Sequence, residues 1–190
     1  MFFRPILAAG FAVLLSLPAA AVEIGDDGLH KEAWMRETFK DLGEDLAEAN
    51  AEGKRLMILI EQRGCSYCAH MHEKVFSRED IAQMLADDFF VVQVNMFGDV
   101  EVIDLDGEVM PEKDAVGRWG ALFTPTMIFL PEEAPEDATA ASAAVVTMPG
   151  AFEYGTTLDL LTWVKEKGYD GDEPFQKYHA RRHNERTAKQ

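Results

Sequence analysis

Leu56-Met57-Ile58-Leu59-Ile60 is an uninterrupted apolar run, and five positions after its end stands Cys65, the first member of a Cys65-x-x-Cys68 pair. A run of that length with no polar alternation is the pattern of a strand buried on both faces, so helices must cover both sides of its sheet. Gly64 closes the short polar turn that follows, and the cysteines then open a helix from about Cys65 to Val75. At a helix N-terminus the first sulfur meets unsatisfied amides and the positive end of the dipole, which favour thiolate over thiol. The chain holds two cysteines in 190 residues, so any sulfur chemistry happens here. A structural disulfide is the plainer alternative. A bridge over so small a loop, however, constrains the unfolded chain little. The pattern points to thiol–disulfide exchange.

The first residues read as an export signal. Arg4 is followed by an apolar stretch from Ile6 to Leu17, and Ala19-Ala20-Ala21 offers a small-residue cleavage site. The stretch falls short of the roughly 20 residues that a membrane span requires. The expected location of the mature protein is therefore the periplasm. The net charge of −16 argues against a nucleic-acid partner, whose phosphates would be repelled.

Further along, 22–28 reads as a mobile leader. Trp34, Phe39, Leu42, Leu46 and Ala49 recur at helical spacing, predicting one amphipathic helix over 29–53 or two joined at Gly43. Ser77 is placed to cap a helix running through Ala86, and Phe89–Met96 reads as a second buried strand. Asp106-Gly107 predicts a hairpin turn within 100–110, and Pro111–Gly120 a helix. Strands follow at Thr126–Leu130 and Ala144–Met148, separated by an acidic, alanine- and proline-rich surface loop over 131–142. A last helix is expected over Leu158–Lys167. Beyond it lies a tail whose aromatic residues pack on the domain and whose polar end, Arg181–Arg186, frays.

This order of elements, with Cys-x-x-Cys after the first long strand, resembles the thioredoxin fold. Phe123-Thr124-Pro125-Thr126-Met127-Ile128-Phe129-Leu130 is similar to that family's cis-proline loop and the strand it enters, and Met148-Pro149-Gly150 resembles its closing strand end. The resemblance covers about 30–167 and implies an α/β thioredoxin fold, a mixed central sheet of about four to five strands flanked by helices. The expected organisation is a signal peptide over 1–21, a leader over 22–28, a thioredoxin-like domain over 29–168 and a tail over 169–190. Within the superfamily, Glu61-Gln62-Arg63-Gly64-Cys65-Ser66-Tyr67-Cys68, Met71–Phe76, Asn95–Asp99, Gly107, Gly168-Tyr169 and Phe175-Gln176-Lys177-Tyr178 resemble the exported SoxW group of sulfur-oxidation systems. Here Gly64 stands where thioredoxin has tryptophan, and Ser66-Tyr67 replace Gly-Pro, positions that tune the redox potential.

The resemblance assigns roles. Cys65 is the attacking thiolate and Cys68 the resolving thiol, the pair itself serving as redox centre with no added cofactor. Thr124 and Pro125, with Ser66 and Tyr67, are expected to bind the substrate. Glu61 ends the apolar run and is either an exposed strand-end carboxylate or the base that deprotonates Cys68. It sits two positions nearer the cysteines than the family's buried acid. The implied partners are a protein disulfide substrate such as a sulfur carrier, and a membrane thiol transporter of the CcdA/DsbD type as electron donor. Rival readings are a reductase for cytochrome c maturation, a general disulfide isomerase, and a metal-binding chaperone using Cys65, Cys68, His70 and His72. At about 100° per residue His70 points away from the face shared by Cys65, Cys68 and His72, so a four-ligand site is strained and no metal is expected. His72 is expected to pack beneath the active-site helix and His70 to face solvent.

Overall fold

The computed structural model describes residues 23–188, so the expected signal peptide lies outside the described residues. The central strands are β4 (Arg55–Glu61) and β5 (Phe89–Asn95), numbered after three short strands, β1 (Glu23–Ile24), β2 (His30–Lys31) and β3 (Met35–Arg36). β6 (Glu101–Ile103) and β7 (Val109–Pro111) form the hairpin expected around Asp106-Gly107, and β8 (Thr126–Phe129) and β9 (Val146–Pro149) complete the set. The main sheet has five strands in the order β3-β5-β4-β8-β9, with β3, β5 and β4 parallel and β8 and β9 antiparallel. Helices α1 (Leu42–Ala51), α2 (Ser66–His70, widening into a π turn over Met71–Phe76), α3 (Glu79–Asp88), α4 (Glu112–Arg118), α5 (Ala140–Ala143), α6 (Tyr154–Lys165) and α7 (Phe175–Thr187) surround it. This is the mixed sheet flanked by helices that the resemblance implies.

The continuous apolar runs feed two cores because successive strand residues point to opposite faces. Met57, Leu59, Phe89, Val91, Met127 and Phe129 face Met71, Val75, Ile81 and the inner side of α6. Leu56, Ile58, Ile60, Phe90, Val92 and Ile128 face α1, α4 and α5. The register aligns three chain reversals at one sheet end. Thr126 pairs with Ile60 on one side and with Pro149 on the other, so the cysteine turn, Pro125 and Gly150 converge there.

The segment 29–41 is not helical as its spacing predicts. Lys40 is left-handed at φ +59°, and Asp41 caps α1 by accepting from the amides of Gly43 and Glu44, so the helix can begin only at Leu42. Met35–Arg36 instead gains backbone bonds at the edge of β5, while Phe39 is left 94% exposed. Residues 23–28, expected as a mobile leader, supply the first strand of the β1–β2 hairpin. Arg63, in the turn before Cys65, donates to the Asp27 and Asp26 carbonyls and so ties that hairpin to the active-site turn. Ser77 does not cap α3: its hydroxyl donates to the Glu73 carbonyl at 2.8 Å, and Arg78 takes the extended boundary position.

The polar tail expected to fray is α7, docked on α6. Phe175 packs on Trp163, Tyr178 is buried in the same core, and buried Asp159 accepts from the two terminal Arg186 guanidinium nitrogens at 2.6 and 2.7 Å and from His179 at 2.7 Å. Gly168 enters this junction without a side chain for a steric reason. A Cβ there would lie 2.2 Å from the Trp163 indole, whose N–H donates to the Glu173 carbonyl and whose ring packs on Tyr169 and Phe175. Gly168→Ala should therefore destabilise the fold by about 1–3 kcal/mol, read as a lower urea midpoint at unchanged m.

Candidate active site

β4 delivers the chain to Gln62-Arg63-Gly64, where Gly64 turns it at φ +73°, a conformation that costs other residues. Cys65 is the extended N-cap of α2, and its sulfur accepts the Cys68 amide hydrogen at 3.0 Å. The two cysteines are joined as a disulfide. Their accessibility differs in the sense that exchange chemistry requires: Cys65 retains 7% exposure and Cys68 has none.

The Thr124–Pro125 peptide is cis. The Thr124 hydroxyl donates to the Cys65 sulfur at 3.3 Å, and its carbonyl oxygen lies 3.5 Å from the same atom. Pro125 is locked from behind by the Gly150 amide, which donates to its carbonyl at 2.7 Å. Ser66 and Tyr67 stand on the open side. With His70, Phe123, Phe152 and Glu153 they line a groove beside the disulfide. Tyr67 and Phe123 are 66% and 63% exposed, leaving the groove an open apolar rim.

Glu61, at the end of β4, is not the exposed strand-end carboxylate that the sequence left open. Its side chain is fully buried. One carboxylate oxygen bonds to His72 Nε2 at 3.0 Å and the other accepts from the Gln93 amide at 2.7 Å. His72 is buried, as expected, and its Nδ1 bonds to Glu32 at 3.0 Å. Burial pushes the His72 imidazole toward its neutral form, but the hydrogen bonds to Glu32 and Glu61 outweigh it and hold the ring's pKa above the ordinary value. His30 moves the other way, lowered by burial and by the charge of His72. Glu32, His30 and Gln93 were missed at the sequence level. Gln93, a lone amide inside the buried Phe-Phe-Val-Val-Gln-Val run, was the available signal.

The structure separates the four residues of the metal reading. His70 faces solvent while His72 turns to its two carboxylates. His30, Glu61 and His72 do bring donor atoms within 4.8 Å of one another. The two rings, however, are stacked, 4.4 Å between centroids and 16° from parallel. Ring-nitrogen lone pairs lie in the ring plane, so in this arrangement they do not meet at one cation.

A thioredoxin-like domain model matches residues 42–139. Among solved structures, a thioredoxin-fold protein from Helicobacter pylori superposes with a TM-score of 0.54 at 14% identity, covering 84% of this chain and 94% of that one. A thioredoxin from Thermus thermophilus superposes with a TM-score of 0.50 at 26% identity, covering 67% of this chain and 86% of that one. No curated protein matches the sequence.

Proposed function

The chain belongs to the thioredoxin-like domain family and is a thiol–disulfide oxidoreductase; we propose that it works as an exported reductase of protein disulfides through Cys65 and Cys68. The carrying observation is the asymmetry of the pair: Cys65 keeps some exposed surface and its sulfur accepts from a helix amide and from Thr124, while Cys68 is fully buried.

In the reduced protein, Cys65 thiolate attacks one sulfur of the substrate disulfide, and the other substrate sulfur leaves as a thiolate. The substrate backbone lies along Thr124 and Pro125, with its apolar neighbours against Tyr67 and Phe123. Cys68 then gives its proton to Glu61 and attacks Cys65, breaking the mixed disulfide. The Cys65–Cys68 bond forms, and two electrons have passed to the substrate. What supports Glu61 as the base is its burial and its bond to His72, four residues after Cys68 on the same helical segment.

The export reading is supported by the charged, apolar and small-residue sequence of 1–21. The SoxW resemblance supports a sulfur-carrying protein as substrate and a membrane thiol transporter of the CcdA/DsbD type as the donor that restores the dithiol. Two measurements test this. A Cys68→Ser variant should trap, as a mixed disulfide, an exported protein whose partner cysteine carries sulfur; trapping only cytochrome c apoproteins would overturn the sulfur-oxidation role. The reduction potential should lie near that of reducing thioredoxins, about −270 mV, and a value near about −120 mV would make the protein an oxidant instead.

A further inference from the structure

A carboxyl buried at the end of an apolar strand is driven toward its neutral form, and a neutral carboxylic acid cannot take a proton from a thiol. Glu61 has no exposed surface, yet its surroundings are those of an ion. His72 and Gln93 each offer it one hydrogen-bond partner. His72 in turn stands between two carboxylates, Glu61 on Nε2 and Glu32 on Nδ1. With both acids ionised, a neutral imidazole, having one N–H and one bare lone pair, would set that lone pair against a carboxylate oxygen on one side. Only the imidazolium donates to both.

The other groups around the ring fit this arrangement. His30, from β2, stacks on its face, and Trp34 lies parallel to it at 6.3 Å between centroids. His30 Nδ1 stands 3.9 Å from the Glu61 oxygen that bonds to His72, beyond hydrogen-bond distance, and burial and the charge of His72 lower its pKa. Lys31 spends its ammonium on the Gln93 oxygen at 2.8 Å and on Asp27, and so orients the amide that donates to Glu61. Glu73, on the ring's own helix, is exposed. Glu32 is the network's outlet to water, its side chain 20% exposed against 0% for His72 and 1% for Glu61.

We propose that His72, anchored by Glu32, is the positioning residue that orients the Glu61 carboxylate through its Nε2 bond, and thereby sets how fast Cys68 resolves the mixed disulfide near neutral pH. The inference rests on the reading of Cys68 as resolving thiol and Glu61 as its base. The proton balance is simple. Cys68 S–H gives its proton to Glu61, the sulfur anion bonds to Cys65, and the departing substrate thiolate takes a proton from water. Glu61 releases its proton once the product leaves, and His72 keeps its charge throughout.

One reagent reports both half-reactions. Mixing reduced protein with one equivalent of 5,5′-dithiobis(2-nitrobenzoate) in a stopped-flow releases a first thionitrobenzoate when Cys65 attacks and a second when Cys68 resolves. Across pH 5.5–9.5, His72→Gln should slow the second phase about tenfold near neutrality, leave the first unchanged, and recover as pH rises. Glu32→Gln, at the outer edge of the cluster, should shift the second-phase profile the same way by a smaller amount, and it decides the matter if His72→Gln fails to fold. Glu61→Gln is run in parallel. Profiles of His72→Gln and Glu32→Gln that superimpose on the parent while Glu61→Gln is slow would overturn the role of His72. An unaffected second phase in Glu61→Gln would instead overturn the underlying assignment of the base.

Discussion

Cys65→Ser should reduce insulin-disulfide reduction to the level of the buffer thiol alone, whereas Cys68→Ser should still attack and then stall as the mixed disulfide. The contrast follows from position. Cys65 is the N-cap, the sulfur that receives the Cys68 amide and the Thr124 hydroxyl, and the member of the pair with exposed surface. A serine oxygen there is neither a thiolate nor able to form a disulfide, and the chain has no third cysteine to replace it. Cys68 has no exposed surface, so its target is the neighbouring Cys65 sulfur once that sulfur is bonded to substrate. Gel-shift or mass measurement of the covalent complex, alongside the turnover assay, checks both halves. Residual catalytic reduction by Cys65→Ser would reverse the assignment of attacking and resolving thiols.

Asp45→Asn should make the protein more stable at pH 7.5 by roughly 2–3 kcal/mol, with the advantage vanishing near pH 4. Asp45 lies in the first turns of α1, 4% exposed. Burial is the main cause that raises its carboxyl from 3.8 to about 6. Asp41, Glu48 and Glu44 add to the rise, against the hydrogen bond from the Thr38 hydroxyl. The folded state therefore holds this proton more tightly than the unfolded chain. Its contribution favours the fold below pH 4 and is lost as pH rises through about 6, where the carboxylate must ionise in a dry site. Asparagine keeps an acceptor for Thr38 and has no proton to lose. Urea titrations of parent and variant at several pH values isolate the effect from that of the other carboxylates. A stability difference independent of pH would show that Asp45 is not the group responsible.

What was legible in the chain was local. Leu56–Ile60 and Phe89–Val94 announce buried strands because consecutive apolar residues can be satisfied only where both faces are covered. Asp106-Gly107 announces a turn, and Cys-x-x-Cys after a glycine announces a reactive helix start. Even the Thr124-Pro125 step carries its own context, a polar dipeptide entering an apolar strand. Failures came where a long-range partner outweighed a local pattern. Trp34 and Phe39 sit at helical spacing, yet an edge of β5 was available to Met35–Arg36, and Lys40 breaks the helix before it can start. Arg181–Arg186 reads as a solvated end, yet an acid 27 residues earlier in the chain, Asp159, draws Arg186 into a docked helix.

The redox site divides along the same line. That two sulfurs three residues apart open a helix, with the first exposed to its amides, is a property of contiguous residues, which local geometry alone dictates. Whether Glu61 was a surface acid or a buried one depended on what lay across the sheet and beneath the helix. Folding brings Gln93 from β5 and His72 from the turn below Cys68 onto the Glu61 carboxylate, and Glu32 from beside the β1–β2 hairpin onto the far side of the His72 ring. No spacing rule links positions 32, 61, 72 and 93. Their meeting is decided by strand register and helix packing, because burial and hydrogen-bond partners, which set the charge state of an ionisable group, are properties of three-dimensional neighbours.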